Sequence, residues 1–166
     1  WDNKELELDA RSIDAVWNGM TLTDEVKKSM SCTDPYVINA QVVVVRAEDK
    51  DKYATKDALK DAAFAAEAGS AGAAAIEDAF GTDNLTTVTA QSDALLEVQS
   101  GAADACVIDI TMATAMTGEG SSYADLTTAM ELTSEEYGIG FRLGSDMTEK
   151  VNEIIKDLKA NGKLQE

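Results

Sequence analysis

Histidine is absent from the sequence, and its absence removes several kinds of chemistry. Histidine is the commonest general base near neutral pH, and it completes the Ser-His-Asp and Cys-His arrangements and most zinc sites. There are only two cysteines, Cys32 and Cys106, which lie far apart and form no CxxC pattern. This spacing argues against a metal centre or a dithiol redox site. Two buried free thiols are favoured over a disulfide, because cysteine often acts as a small hydrophobic residue.

Basic residues are also scarce. The chain has 14 Lys and Arg against 31 Asp and Glu, which gives a formal net charge of −17. Phosphate backbones and anionic lipid repel such a chain, so nucleic acid and membrane surfaces are not its leading partners. No apolar run approaches the roughly 18 residues that a membrane span needs. The chain opens on Trp1 without an initiator methionine or a signal peptide, and we therefore expect a processed or truncated product.

Short apolar runs that are typical of strands alternate with helical patterns, and this alternation predicts an α/β fold. Several of these runs are apolar on consecutive residues, as in a sheet that is covered on both faces. At 166 residues, the chain is long enough to bury a core as one domain or as two small lobes. The predicted strands are 13–17, 41–45, 63–66, 85–89, 105–108 and 137–141.

Three helices have clear sequence signals. One is predicted at the alanine-rich segment 71–80, and another at 92–100, where Gly101 closes it. A third follows Asp146, which resembles a capping box with Glu149. This third helix has apolar residues at helical spacing and a glycine just past its end: Met147, Val151, Ile154, Ile155, Leu158 and Gly162.

An internal similarity divides the chain into two parts. Segment 6–16 is similar to segment 96–106, and each reads as a helix end, a polar turn and a buried strand. Polar residues follow each strand, at 18–21 in the first part and at Asp109 in the second. Ligands of open α/β sheets bind outside the carboxyl ends of the strands. Two such lobes facing each other would define a ligand cleft.

Four stretches of the sequence resemble a known family. They read WDNKELELDARSIDAVWNGMTLTDEVKKSMSCTDPYVINAQVVVV, FAAEAGSAG, ADACVID and EEYGIGFRLGSD. Together, and in this order, they resemble the polar amino-acid-binding proteins of ABC transporters, which have the type II periplasmic binding fold. The resemblance covers essentially the whole chain. It implies a two-lobed α/β fold in which lobe 1 is incomplete, because a strand, a helix and a second strand precede the position of Trp1 in the family.

The resemblance also implies how the chain divides. Residues 1–40 and 133–166 would form partial lobe 1 with the hinge crossings, and residues 41–132 would form lobe 2. Two crossings make a hinge, so ligand binding would close the lobes. An incomplete lobe 1 would leave a sheet edge or a core face uncovered, which predicts rearrangement, instability or a strand-exchanged homodimer.

In lobe 1, the resemblance implies four ligand-binding residues. Trp1 matches an aromatic residue that covers the ligand, although a terminal tryptophan can equally be only packed or exposed. Asn18, Gly19 and Thr21 match a loop that holds the amino acid through backbone and hydroxyl groups. An alternative role for Thr21, or for Thr23, is to cap the helix that follows.

In lobe 2, the turn between a strand and a helix contains Gly69, Ser70 and Ala71. In the family, this turn receives the ligand's carboxylate, because backbone N–H groups at a helix N-terminus bind anions. Taken alone, such a turn of small residues is more often only a connector. Glu67 lies where family members often have a residue that reads the ligand's side chain, and its acidic group favours a basic or amide-bearing ligand.

Asp109 matches the carboxylate that pairs with the ligand's α-ammonium group. A carboxylate beside apolar residues is costly to desolvate without a partner, and a cationic ligand group is one such partner. The alternative is a structural cap for the helix that the sequence predicts at 110–116.

Val26 departs from the family pattern. The resemblance places an arginine there, which would hold the α-carboxylate through a bidentate fork. Lys27 and Lys28 do not inherit this role, because successive helix residues point about 100° apart. Either the carboxylate therefore relies on the Ser70 region and the N-terminus of the helix at Asp24, or the ligand is not a standard amino acid.

The sequence thus predicts an extracytoplasmic solute-binding component of an ABC importer, either periplasmic or lipid-anchored. It would bind an amino acid or a related small amine, partner a transporter permease, and need no cofactor, metal or catalytic group. The alternatives are the ligand-sensing domain of a membrane receptor and, less favoured, a dehydratase of the same fold. A dehydratase acting on a dicarboxylate would need arginine clamps, and none of Arg11, Arg46 and Arg142 falls in a predicted cleft motif.

Overall fold

The computed structural model describes residues 1–164 and shows a mixed α/β fold, as the sequence predicts. Contacts between residues divide the chain into two compact units. Unit 1 contains Trp1–Asp2 and Ala40–Ser134. Unit 2 contains Asn3–Asn39 and the described residues from Glu135 onward.

Six helices and seven strands follow one another within residues 1–164. In chain order they are α1 (Lys4–Asp9), β1 (Val16–Thr21), α2 (Asp24–Ser29), β2 (Ser31–Cys32), β3 (Val37–Arg46), β4 (Phe64–Glu67), α3 (Ala71–Phe80), β5 (Leu85–Val88), α4 (Gln91–Ser100), β6 (Ala105–Asp109), α5 (Ile110–Met116), β7 (Leu126–Phe141) and α6 (Met147–Ala160). Two short 3-10 helices, Ala47–Asp49 and Asp57–Leu59, lie between β3 and β4.

Unit 1 is built on β3, β4, β5, β6 and the first part of β7, which lies beside β3 in the sheet. Strand β3 runs antiparallel to β6, with Gln41 opposite Asp109 and Val45 opposite Ala105. Strand β4 pairs in parallel with both β5 and β6. Helices α3 and α4 provide the crossover connections that parallel strands need.

The core of unit 1 lies on both faces of these strands. Val42 and Val44 of β3 pack with Leu95 of α4 on one face, whereas Val43 packs with Ile76 of α3 on the other. All four valines from Val42 to Val45 are at most 1% exposed. The run of consecutive apolar residues in β3 therefore reflects a strand that is covered on both sides, as predicted.

Unit 2 packs around the second half of β7. Strands β1 and β2 both pair with it in antiparallel fashion, with Met20 opposite Gly138 and Ser31 opposite Phe141. Ile139 and Phe141 of β7 then pack with Ile155 of α6. Unit 2 also exposes several large apolar side chains, namely Leu6, Trp17, Ile38 and Leu143. The strand-exchanged dimer, which would cover such a surface, stays a prediction.

Two predicted strands are placed differently in the structure. The strand predicted at 13–17 begins only at Val16, because the backbone N–H of Ile13 is still bonded to Glu7 of the preceding helix. The strand predicted at 137–141 is the end of a much longer strand, Leu126–Phe141. Its first part is half-exposed and rich in Thr and Glu, so it lacks the apolar run that identified the other strands.

The predicted capping box of α6 is wrong. Asp146 makes no side-chain hydrogen bond to the helix backbone, because its own backbone is already helical. Its carboxylate instead accepts a hydrogen bond from Lys150 Nζ at 2.6 Å, while Ser145 Oγ accepts from the backbone N–H of Met147. Gly162 does follow the helix end in a left-handed conformation, with φ of 65°.

Both cysteines are free thiols, as predicted. Cys106 is fully buried in β6, whereas Cys32 is only partly buried, so the expectation of two buried thiols is correct for one of them. Across residues 1–164, none of the helices combines the length and the apolar character required to cross a membrane.

Candidate functional site

The carboxyl ends of three parallel strands meet at one edge of unit 1. Glu67 ends β4, Val88 ends β5 and Asp109 ends β6. In α/β sheets this edge is where ligands bind. Two of the sequence-predicted site residues, Glu67 and Asp109, are thus brought to the same edge.

Two glutamine side chains hold the carboxylate of Asp109. Gln41 Nε2 donates a hydrogen bond to Oδ1 at 2.6 Å, and Gln91 Nε2 donates to Oδ2 at 2.5 Å. Asp109 occupies the N-cap position of α5, but its side chain makes no hydrogen bond to the helix backbone. The structure therefore does not support helix capping as the role of this carboxylate.

The turn before α3 is shaped by glycine and serine. Gly69 has φ of +66°, a conformation that side chains other than glycine rarely adopt. Ser70 is the N-cap of α3, and its Oγ accepts a hydrogen bond from the backbone N–H of Ala73 at 3.1 Å. The turn that the sequence analysis assigned to the ligand's carboxylate therefore caps the helix, with Ala71 as the first helical residue.

A carboxylate of the chain itself lies against this turn. A Cβ added to Gly69 would fall 1.8 Å from Oδ1 of Asp2. The amino group of Trp1 lies 3.9 Å from Oε1 of Glu67. The family resemblance implies that Trp1 belongs to lobe 1, whereas Trp1 and Asp2 belong to unit 1 of the structure.

Gly72 allows α3 to approach β6 closely. A Cβ at this position would lie 2.5 Å from the backbone oxygen of Val107 and 3.0 Å from Oε1 of Gln41. The first turn of α3 thus reaches the strand that ends at Asp109, with the Gln41 side chain beside both. A side chain larger than hydrogen at position 72 would push the helix away from this edge.

Two of these residues were not identified from the sequence, namely Gln41 and Gln91. Gln41 does carry a signal, since it is a polar residue at the start of the apolar run QVVVV. It is only 2% exposed, and a buried polar side chain requires hydrogen-bond partners. Gln91 lies in sequence 18 residues from Asp109, so only the fold brings the two together.

In unit 2, Asn18, Gly19 and Thr21 lie in strand β1 rather than in a loop after a strand. The pairing of β1 with β7 is irregular between Val16 and Met20. Gly19 has φ of +64°, and a Cβ there would contact the ring of Tyr137 at 3.4 Å. A bulge of this kind re-aims side chains at a strand end. Asn18 is exposed and Thr21 is partly exposed.

Thr23, not Thr21, caps helix α2. Thr23 Oγ1 accepts a hydrogen bond from the backbone N–H of Val26 at 3.2 Å. The side chain of Val26 is only 7% exposed and is the buried residue of α2. An apolar side chain in this first turn is thereby explained as part of the core of unit 2.

The known proteins to which this chain is similar are named as solute-binding or amino-acid-binding proteins. Residues 1–166 match the family model of bacterial extracellular solute-binding proteins, family 3. A probable histidine-binding protein of Neisseria gonorrhoeae is 28% identical over 166 residues, covering 98% of this chain and 62% of that protein. The arginine-binding extracellular protein ArtP of Bacillus subtilis is 30% identical over 167 residues, covering 95% of this chain and 62% of that protein.

A solved structure shares the fold. The crystal structure of the ancestral amino acid-binding protein AncCDT-1, a precursor of cyclohexadienyl dehydratase, aligns with a TM-score of 0.86 and 29% identity. The alignment covers 98% of this chain and 71% of that one. The chain thus spans about 62% of the length of the two curated relatives.

Proposed function

Because this chain belongs to family 3 of the bacterial extracellular solute-binding proteins, we propose that it binds an amino acid or a related small amine for an ABC importer. The observation that carries this proposal is the Asp109 carboxylate, held by two amide groups at the carboxyl edge of the unit 1 strands. A fixed carboxylate at this position suits the α-ammonium group of an amino acid.

The remaining roles follow the same chemistry. The turn 69–71 and the N-terminus of α3 receive the ligand's carboxylate in place of the Asp2 carboxylate that lies against this turn, because the N–H groups and the helix dipole favour an anion. Glu67 selects a basic or amide-bearing end, which agrees with relatives that are named for binding histidine and arginine. Trp1 is the aromatic residue that we propose to cover the ligand, and its amino group lies 3.9 Å from Oε1 of Glu67. Within unit 2, Asn18, Gly19 and Thr21 are the residues that we propose for ligand binding through backbone and hydroxyl groups.

The importer context defines partners and location. We propose that the protein acts outside the cytoplasm, in the periplasm or on a lipid anchor, and delivers its ligand to a transporter permease. The relatives support this, since they are described as extracellular or as amino-acid-binding proteins. Val26 stands where the family resemblance places a carboxylate-binding arginine. We therefore propose that the ligand's carboxylate binds at the turn 69–71 before α3.

A dehydratase is the second candidate, because the ancestral relative AncCDT-1 is described as an enzyme precursor. Two of the three arginines argue against it. Arg46 donates hydrogen bonds to the backbone oxygens of Val98 and Ala103, and Arg142 donates to the backbone oxygen of Ile13. Both guanidinium groups are therefore engaged in structural contacts, and binding without catalysis is the function that we propose.

A thermal-shift measurement tests the proposal. A ligand that binds only the folded state adds about 2.7 kcal/mol of stability at about 100 times its Kd. We expect L-arginine, L-histidine or another amino acid or small amine to raise the Tm. Sodium chloride at equal ionic strength is the control, because screening a charge of −17 can itself stabilise the fold. If no amino acid or small amine raises the Tm above this control, the proposed function is overturned.

A further inference from the structure

Asp109 is held by two glutamines that come from different elements of unit 1. Gln41 lies on β3, directly opposite Asp109 in the antiparallel register with β6. Gln91 is the first residue of α4. The two side chains reach the two carboxylate oxygens separately, at 2.6 Å to Oδ1 and 2.5 Å to Oδ2.

Gln91 makes a two-point contact with Asp109. Its Nε2 donates to the carboxylate, while its Oε1 accepts a hydrogen bond from the backbone N–H of Asp109 at 3.1 Å. One amide group therefore links the side chain of Asp109 to the backbone of the same residue. This closed arrangement restricts the rotation of the carboxylate about its side-chain bonds.

Gln41 extends the arrangement toward α3. Its Oε1 lies next to Gly72, where an added Cβ would approach it to 3.0 Å. The same side chain therefore contacts Asp109 through its nitrogen and lies beside the first turn of α3 through its oxygen. Gln41 thereby fixes the position of the Asp109 carboxylate relative to the turn 69–71, where we propose that the ligand's own carboxylate binds.

The charge of the donors matters as much as their positions. An amide group donates a hydrogen bond without bringing a positive charge, unlike lysine or arginine. Gln41 and Gln91 therefore orient the carboxylate without neutralising it. A cationic ligand group would form a charge-assisted hydrogen bond with this carboxylate, and such hydrogen bonds are the strong ones.

We infer that Gln41 and Gln91 are positioning residues for the ligand's ammonium group, acting through Asp109. This inference rests on the proposed function, because it assumes that Asp109 receives the α-ammonium group. It makes Gln91 a determinant of how strongly the protein distinguishes an α-amino acid from the same molecule without its amino group.

The test compares each amino acid with its des-amino analogue. The first pair is L-arginine and 5-guanidinopentanoate, and the second is L-histidine and imidazolepropionate. Calorimetric titration gives the affinity ratio within a pair for the wild type, Gln91→Met and Gln41→Met. Gln99→Met is the matched control, because Gln99 lies on the same helix and donates to another aspartate, Asp125, at 2.9 Å.

We expect the wild type to prefer the amino acid, and Gln91→Met to reduce the affinity ratio by about tenfold. Gln41→Met should reduce the ratio similarly, and Gln99→Met should leave it unchanged. A merely structural glutamine would weaken both members of a pair equally, and an unchanged ratio in Gln91→Met would overturn the inference. Gln91 is less buried than Gln41, so Gln91→Met serves if the other variant does not fold.

A double-mutant cycle tests whether Gln91 acts on the ligand directly or through Asp109. If Gln91 acts through Asp109, Gln91→Met should change L-arginine affinity much less in an Asp109→Asn background. Full additivity of the two changes would contradict the inference. If the wild type binds neither pair, the same comparison is made with the amino acid that raises the Tm. Failure to bind any amino acid or small amine is a different result, because it overturns the proposed function itself.

Discussion

Asp109 and Cys106 lie three residues apart on β6, but their side chains have different surroundings. The carboxylate, at the strand end, meets two amide donors. The thiol belongs to the second residue of the strand and is fully buried. Burial raises the pKa of Cys106 to about 12, because the charged thiolate is disfavoured in an apolar environment. Cys32 is less buried, and although burial raises its pKa, the charge of Lys27 partly offsets this.

The two thiols should therefore differ in reactivity. Since the thiolate is the nucleophile, a disulfide reagent at pH 8 should modify one thiol of the native protein, that of Cys32. Cys106 should react only after denaturation. Cys32→Ser should abolish the reaction of the native protein, and Cys106→Ser should leave it intact. Two rapidly reacting thiols in the folded wild type would contradict this assignment.

At the scale of elements, helix starts in both units depend on a hydroxyl cap. Ser70 Oγ accepts from the backbone N–H of Ala73 at 3.1 Å, and Thr23 Oγ1 accepts from that of Val26 at 3.2 Å. Each cap satisfies one of the N–H groups that a helix start leaves without an intrahelical partner.

Removing either cap should destabilise the fold measurably. We expect Ser70→Ala and Thr23→Ala each to lower the free energy of unfolding by about 1 kcal/mol. Ser92→Ala, inside α4, is the matched control and should be neutral or slightly stabilising, because alanine has the higher helix propensity. Urea unfolding measures all three. A cap variant as stable as the wild type would show that the cap contributes little there.

Local signals explain which elements could be predicted. Helix α3 has the predicted bounds, because Ser70 starts it and Gly81 lies just past its end with φ of +86°. Helix α4 also ends as predicted, at Gly101 with φ of +82°. By contrast, the first half of β7 was not predicted, since it is half-exposed and pairing, not sequence pattern, makes it a strand.

The candidate site was only partly predictable for a related reason. The sequence pattern places Asp109 at a strand end and Gly69 in a turn after a strand, which are local signals, and the family resemblance implies their roles in ligand binding. The contacts of Asp109 with Gln41 and Gln91 join residues 68 and 18 positions apart, so they depend on register and crossover geometry. For Val26, the sequence shows that the residue is apolar, but it does not show that its side chain is only 7% exposed.

For the whole molecule, the negative net charge favours a cationic ligand, and so does the candidate site. A net charge of −17 attracts cations and repels anions over distances of about 10 Å at an ionic strength of 0.1 M. Asp109 and Glu67 are acidic residues, so they also favour a cation. The whole chain and the site thus point to a ligand with at least one cationic group.

Calorimetric titration of Asp109→Asn tests whether Asp109 binds the ammonium group of this ligand. The control is Asp125→Asn, which changes another glutamine-bonded aspartate at an exposed position. We predict that Asp109→Asn weakens L-arginine or L-histidine binding by about tenfold or more, because a hydrogen bond between charged groups is lost. Asp125→Asn should bind as the wild type does. Unchanged affinity in Asp109→Asn would contradict the account.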